Sequence, residues 1–226
     1  MKVHTIKGIL FDMDGVLIDS NTEIEKFWKD WSQKEELLLR EEDIVRYIHG
    51  RTTHDTINEL FQDSDKDTKK QILEAAIAFD LNMRPDLIKG VGYFLKELII
   101  GFQNIALVTS APRNRVKKML ELHDIYNCFA CTTTGDEVVK GKPDPEPYLR
   151  GANKLGVFPE ECLTFEDSNS GILSALTAGM YVITVNNDNY QHDKIITHIS
   201  TYDELAVRNN SIYIDNEQIQ IQLCSK

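Results

Sequence analysis

Residues 8–21 read GILFDMDGVLIDSN: an apolar run leads straight into Asp12 and Asp14, closes with Asp19 and contains no basic residue. Two carboxylates two positions apart at the end of a buried strand are expensive, because charge away from water must be neutralised. The rest of the chain therefore has to supply a compensating cation. Asp12 and Asp14 could simply cap a turn, but Asp19 is the better placed residue for that.

Working outward, residues 6–13 read as one continuous buried strand of the kind that parallel sheets use. From Asn21 to about Arg84, apolar residues recur at helical spacing among many charges, in EIEKFWKDW, EDIVRYIHG, THDTINELF and KKQILEAAIAFDL, with no strand between them. After Pro85 the text changes. A helix is predicted over 92–100, followed by strands in NIALVTS, FACTTT, CLTFED and YVITV that alternate with helices around 113–122, 146–155 and 171–178. That alternation implies an α/β fold, a Rossmann-like parallel sheet with helices on both faces. The tail SIYIDNEQIQIQL predicts a hairpin turning near Asp215 and Asn216 and extending the sheet edge. The expected organisation is an α/β core over 1–19 and 86–226, with a small helical cap over 20–85 inserted after the first strand. Ligands of such sheets bind beyond the carboxyl ends of the strands, where the insert leaves, so it can close over the site.

Composition narrows the partners. The chain has 226 residues, 42% of them hydrophobic, and a formal net charge of −11, which argues against a phosphate-backbone binder and for a small substrate. No apolar run approaches the roughly 20 residues that cross a bilayer, and the first residues hold no signal-like apolar segment, so a cytoplasmic monomer with no nucleic-acid or membrane partner is expected. Among the 4 cysteines, Cys128 and Cys131 form a C-x-x-C near His123. No second ligand pair follows, so they are expected to be small apolar residues beside a strand rather than half a zinc site.

Taken together, the strand ends deliver Asp12 and Asp14, then Thr109 and Ser110, then Glu166 and Asp167, with Lys142 in VVKGKPDPEPY between them. Carboxylates gathered on one rim do not ionise together without a cation. Hard oxygen ligands with room for water suit magnesium. Such a set fits phosphoryl transfer: one carboxylate attacks phosphorus, a second moves the proton, and a lysine and a hydroxyl hold the phosphoryl oxygens. Thr109 and Ser110 could also cap the helix after Pro112, and Lys140 rivals Lys142. In the insert, HGRTTHDT offers His49 and Arg51 on a loop expected to face the site, beside a helix capped by Thr52 or Thr53. Phe27, Trp28 and Trp31 are expected to pack the insert rather than to form a sugar platform.

These residues resemble the haloacid dehalogenase superfamily, and within it the beta-phosphoglucomutase-like phosphatases with a small helical cap. FDMDGVLIDS looks like the first motif, Thr109 in ALVTS the second, Lys142 in KGKPDPEPYL the third, and FEDSNSGILSALTAGM the fourth. The resemblance implies Asp12 as nucleophile and Asp14 as general acid and base. It implies magnesium held by Asp12, the Asp14 carbonyl and Asp167, with Glu166 near the ion or behind its ligands. Ile24 stands where the mutases carry a histidine, and Thr53 where the phosphonate-cleaving relatives carry a lysine, which leaves ester hydrolysis. The chain looks most like sugar and polyol phosphatases, with a hexose-phosphate mutase and a catalytically idle binding protein as alternatives.

Overall fold

The computed structural model of the chain describes residues 2–214 and 219–224. Its strands are β1 (Lys2–Ile6), β2 (Gly8–Phe11), β3 (Ile105–Val108), β4 (Cys131–Thr133), β5 (Cys162–Glu166), β6 (Tyr181–Val185), β7 (Ile195–Ile199), β8 (Leu205–Arg208), β9 (Ser211–Ile214) and β10 (Ile219–Leu223). Its helices are α1 (Asn21–Lys34), α2 (Glu41–Tyr47), α3 (Thr53–Leu60), α4 (Lys66–Asn82), α5 (Val91–Gly101), α6 (Arg113–Leu122), α7 (Glu146–Leu155) and α8 (Asn169–Thr177).

Six parallel strands form the main sheet in the order β4-β3-β2-β5-β6-β7. The chain winds outward from β2 through β3 and β4, then returns to the other side of β2 with β5. The order therefore reverses between β2 and β5, and a crevice opens there at the carboxyl ends. Side chains alternate with the pleat: Ile9, Phe11, Ile105, Leu107, Leu163 and Phe165 enter the core cluster shared with α5 and α6, whereas Leu10, Ala106 and Val108 enter the one under α7 and α8. Phe11 and Phe165 stack across the central pair with centroids 4.6 Å apart. Burial on both faces explains the unbroken apolar runs, each enclosed Leu or Ile contributing roughly 1.5–3 kcal/mol.

Two expectations need correction. The strand read over 6–13 is broken at Lys7: Ile6 belongs to β1 in a second sheet, and Asp12 and Met13 lie beyond the end of β2. The terminal hairpin forms, but it joins that second sheet, of order β1-β10-β9-β8, instead of the edge of the main one. The turn expected near Asp215 and Asn216 lies outside the described residues. Asn209 and Asn210, with φ of 49° and 53°, close the β8–β9 hairpin. Two successive left-handed residues make the two-residue turn whose twist matches the strands, and asparagine tolerates it.

Between β2 and α5, helices α1 to α4 pack around their own cluster of Trp28, Ile44, Ile48, Ile57, Leu60, Phe61 and Ile72, with Phe27 and Trp31 against it. The segments entering and leaving this insert lie side by side: the Asp19 amide donates to Asp86 O at 2.9 Å and the Ile88 amide to Leu17 O at 2.8 Å. Asp19 is exposed and makes no cap, since α1 begins after Ser20 without a side-chain cap bond. Thr52 does cap α3, accepting from the Asp55 amide at 3.1 Å. Several contacts seat the insert on the core, among them three to its main chain. Ser110 Oγ donates to Gly50 O and Ser170 Oγ to His49 O, both at 2.7 Å, and Lys118 Nζ reaches Met83 O at 3.1 Å, beside the C-terminal carbonyls of α4.

Candidate active site

Asp12 follows β2 directly, and its amide donates to Phe165 O at 3.0 Å, so the sheet ladder itself fixes where its side chain starts. The side chain is buried and accepts from Lys142 Nζ at 2.7 Å. Lys142 is fully enclosed, with Nζ 2.5 Å from Glu166 Oε1 and 3.2 Å from Val108 O. Burial works against the ammonium, but Asp12 and Glu166 more than offset it and hold Lys142 above its ordinary value. Lys140 is exposed and pairs with Asp144 at 3.6 Å, away from this cluster.

Glu166 ends β5, and its two oxygens serve five donors. Lys142 and Tyr148 Oη, at 2.7 Å, reach Oε1; the Asp167 amide at 3.0 Å and the Ser168 amide and hydroxyl, each at 3.2 Å, reach Oε2. A Cβ at Gly171 would overlap this carboxylate, which explains a glycine in the first turn of α8. Tyr148, from α7, is the partner that sequence reading missed; an aromatic in an amphipathic helix carries no mark of a polar duty.

Asp167 accepts from Asn21 Nδ2 at 2.7 Å. Gly15 sits at φ 72° where a Cβ would strike Asp167, so glycine serves there both for its conformation and for its lack of a side chain. Asp14 stands apart from that pair: its Oδ1 accepts from Ser20 Oγ and from Arg115 Nη2.

One oxygen each from Asp12, Glu166 and Asp167 lies within 4.8 Å of the others. Burial first, then Glu166 and Asp14, push the Asp12 carboxyl up to about 7 against the pull of Lys142. Burial, then Glu166 and Asp12, likewise hold Asp167 well above the ordinary carboxylate range. A buried and a half-buried carboxyl that resist ionising beside a lysine signal a deficit of positive charge, and their hard oxygens fit a divalent cation. With Glu166 occupied by its five donors, Asp12 and Asp167 are the side chains with capacity to spare.

Thr109 is buried at the end of β3, where its Oγ1 accepts from the Ala111 amide at 3.1 Å; Pro112, not Thr109 or Ser110, precedes α6. Ser110 spends its hydroxyl on the insert's Gly50 carbonyl. His49 Nε2 lies 3.1 Å from Glu25 Oε1, and Arg51 Nη2 donates to Glu59 at 2.6 Å while its Nε has no partner. Asp12, Asp14, Thr109, Ser110, His49 and Arg51 nonetheless all border one cavity of about 60 Å³, whose wall from the insert includes Ile24, Phe27, Trp28 and Phe79. Phe27 and Trp28 thus pack the insert and line the cavity at once. Arg115 and Asp80, which border it too, were not singled out from sequence. The four cysteines are free thiols, and Cys128 is buried in the main core.

A family model described as haloacid dehalogenase-like hydrolase matches residues 9–185. Hexitol phosphatase A of Escherichia coli (strain K12) is 32% identical over 188 residues, 80% of this chain and 83% of its own length. Glycerol-1-phosphate phosphohydrolase 1 of Saccharomyces cerevisiae is 30% identical over 189 residues, 80% of this chain and 74% of its own. Among solved structures, a HAD hydrolase, family IA, variant 3, from Entamoeba histolytica superposes with a TM-score of 0.73 at 26% identity, covering 89% of this chain and 96% of that one. A beta-phosphoglucomutase from Clostridium difficile, at 19% identity, shares the fold with a TM-score of 0.74 over 89% of this chain and 93% of its own.

Proposed function

Because the chain belongs to the haloacid dehalogenase-like hydrolases, we propose that it is a magnesium-dependent phosphatase of small phosphorylated sugars or polyols, working through an aspartyl-phosphate. The observation that carries this reading is the buried cluster itself, in which Asp12 and Lys142 lie 2.7 Å apart beside Glu166 and Asp167.

In this reading a carboxylate oxygen of Asp12 attacks phosphorus, the bond from phosphorus to the ester oxygen breaks, and Asp14 protonates the departing alkoxide. Water then attacks the phosphorus of the aspartyl-phosphate while Asp14 takes up its proton, which restores Asp12 and leaves an alcohol and inorganic phosphate. Proton transfer of this kind contributes typically 10² to 10⁴ in rate, or about 3–5 kcal/mol. Lys142 and Thr109 hold the phosphoryl oxygens, and Glu166 fixes Lys142. Asp12, Asp167 and the main-chain carbonyl of Asp14 would hold the magnesium, which when bound screens the incoming anion from the carboxylates. The helical insert, taken as a cap over 20–85, excludes water and meets the leaving group with His49 and Arg51.

In this reading the protein is a monomer that acts on a small metabolite. Among the described residues no helix is long and apolar enough to cross a membrane. Four free thiols accord with the reducing cytoplasm. Ile24 on the cavity wall has no proton to exchange with a sugar, so the mutase alternative gains no support from the site.

The test is phosphate release from a panel of glycerol, hexitol and hexose phosphates, with magnesium or with a chelator. Release that falls at least about tenfold on chelation is expected. Isomerised product without free phosphate would favour the mutase, and no turnover on any ester would remove the phosphatase.

The charge deficit makes a second prediction, for the metal-free protein. The folded carboxyl of Asp12 lies at about 7 against an ordinary 3.8, so the folded state holds a proton that the unfolded chain gives up. Its stabilising contribution is complete below 3.8 and is lost as pH rises to about 7. Asp12→Asn abolishes that dependence. Urea unfolding without metal should therefore show the variant gaining on wild type as pH rises through this window, and magnesium should shrink the gain. A constant difference at every pH would refute the deficit.

A further inference from the structure

Arg115, in the first turn of α6, is charged yet its side chain is only 7% exposed. Its Nη2 donates to Asp14 Oδ1, its Nη1 lies 3.4 Å from Asp80 Oδ1, and its Nε has no partner. Asp80 belongs to the last turns of α4, in the insert, and its side chain is 12% exposed. One planar cation thus spans the seam between the core carboxylate assigned to proton transfer and a carboxylate of the insert, at the edge of the cavity. Ser20 donates to the same Asp14 oxygen from the near side, so Asp14 is held from two directions.

A stability role accounts poorly for this arrangement. Burying a cation costs more than burying an apolar side chain of the same size unless every donor is satisfied, and here one is not. The fork geometry matters instead, because a guanidinium engages two carboxylates in fixed directions whereas an ammonium does not. Because Asp80 belongs to α4, the position of that helix helps to decide where the guanidinium holds the Asp14 side chain.

We propose that Arg115 and Asp80 are positioning residues for Asp14, a guanidinium bridge through which the seating of the insert sets how the Asp14 side chain is aligned. The proposal rests on the phosphatase reading for the role of Asp14, but the bridge itself can be examined without turnover.

The experiment is a double-mutant cycle in the full chain with magnesium, using an alkyl phosphate that wild type hydrolyses. Asp80→Asn should lower kcat about tenfold and Arg115→Met about thirtyfold, each with KM within about threefold of wild type. The double variant should be no more than about twofold slower than Arg115→Met, because residues acting as one unit do not add. Arg115→Lys should recover less than half of the lost rate. Losses that multiply, a change in KM in place of kcat, or full recovery by lysine would overturn the proposal. If Arg115→Met does not fold, Asp80→Asn decides alone: it should cost less on an activated phenyl phosphate, whose leaving group needs no proton, than on the alkyl ester, and equal loss refutes it. Amide hydrogen exchange over 76–88 supplies the readout without substrate. It should rise in either single variant and no further in the double, and unchanged exchange in Asp80→Asn overturns the bridge even if wild type releases no phosphate from any ester, an outcome that would count separately against the phosphatase.

Discussion

Asp12→Asn is expected to lower phosphate release by about 10⁴-fold or more while the protein remains folded, an effect of about 5 kcal/mol or greater on the barrier. Asparagine has nearly the shape of aspartate and keeps an oxygen to accept from Lys142, now at 2.7 Å from Asp12. It lacks the anionic oxygen that attacks phosphorus in the proposed mechanism, and no neighbour replaces it: Glu166 is committed to five donors, and Asp14 to Ser20 and Arg115. The substitution also relieves the crowding that pushes the carboxyl up to about 7, so the metal-free variant should unfold at a higher temperature than wild type at neutral pH. Phosphate release and thermal unfolding on the same preparation check both halves. A variant that turns over like wild type would remove Asp12 as nucleophile.

Lys142→Met should act on stability as well as on rate. The ammonium is fully enclosed and holds Asp12, Glu166 and the Val108 carbonyl at 2.7, 2.5 and 3.2 Å. Methionine matches the stem but offers no donor, leaving two carboxylates and a main-chain carbonyl around an apolar tip. Deleting one partner of a buried ion pair typically costs about 3–5 kcal/mol, because the surviving charge stays buried. Urea unfolding should show a loss of this size, along with turnover near background. Glu166→Gln in the same chain should restore part of the stability without restoring activity. A loss below about 1 kcal/mol would mean that Lys142 does not neutralise the cluster.

The central strands were legible because they are enclosed on both faces and so carry unbroken apolar runs, and helices α6 and α7 because their apolar residues recur at helical spacing. The first strand was over-read. Ile6 and Ile9 look alike in text, and only the departure of the chain at Lys7 toward β10 separates them. The hairpin of β9 and β10 announced itself by alternation, but alternation reports that one face is buried and not which sheet the strand joins. The Asn209–Asn210 pair marks the β8–β9 turn in the text, whereas β7 and β8 are short, mostly half-buried strands that do not stand out in it. At the site, Asp12, Asp14, Glu166 and Asp167 stand out because charge following an apolar strand is conspicuous, and Lys142 by its place in VVKGKPDPEPY beyond β4. Arg115 does not, since in PRNRVKK a buried arginine is indistinguishable from its solvated neighbours. Asp80 lies 35 positions away in the chain, on an amphipathic helix where one more acid carries no mark, and pairing across that separation is a property of the fold alone.

The hydroxyls of Ser110 and Ser170 hold the insert by the main-chain oxygens of Gly50 and His49. An attachment made to the peptide backbone is indifferent to most side chains carried by the loop. Position 50 is the exception: its φ is 70° and a Cβ would collide with Ser168, so glycine is required. Side chains at positions 49 and 51 can therefore be exchanged without loosening these two attachments, so that, if they meet the leaving group as proposed, substrate preference can change by point substitution while the catalytic scaffold stays intact.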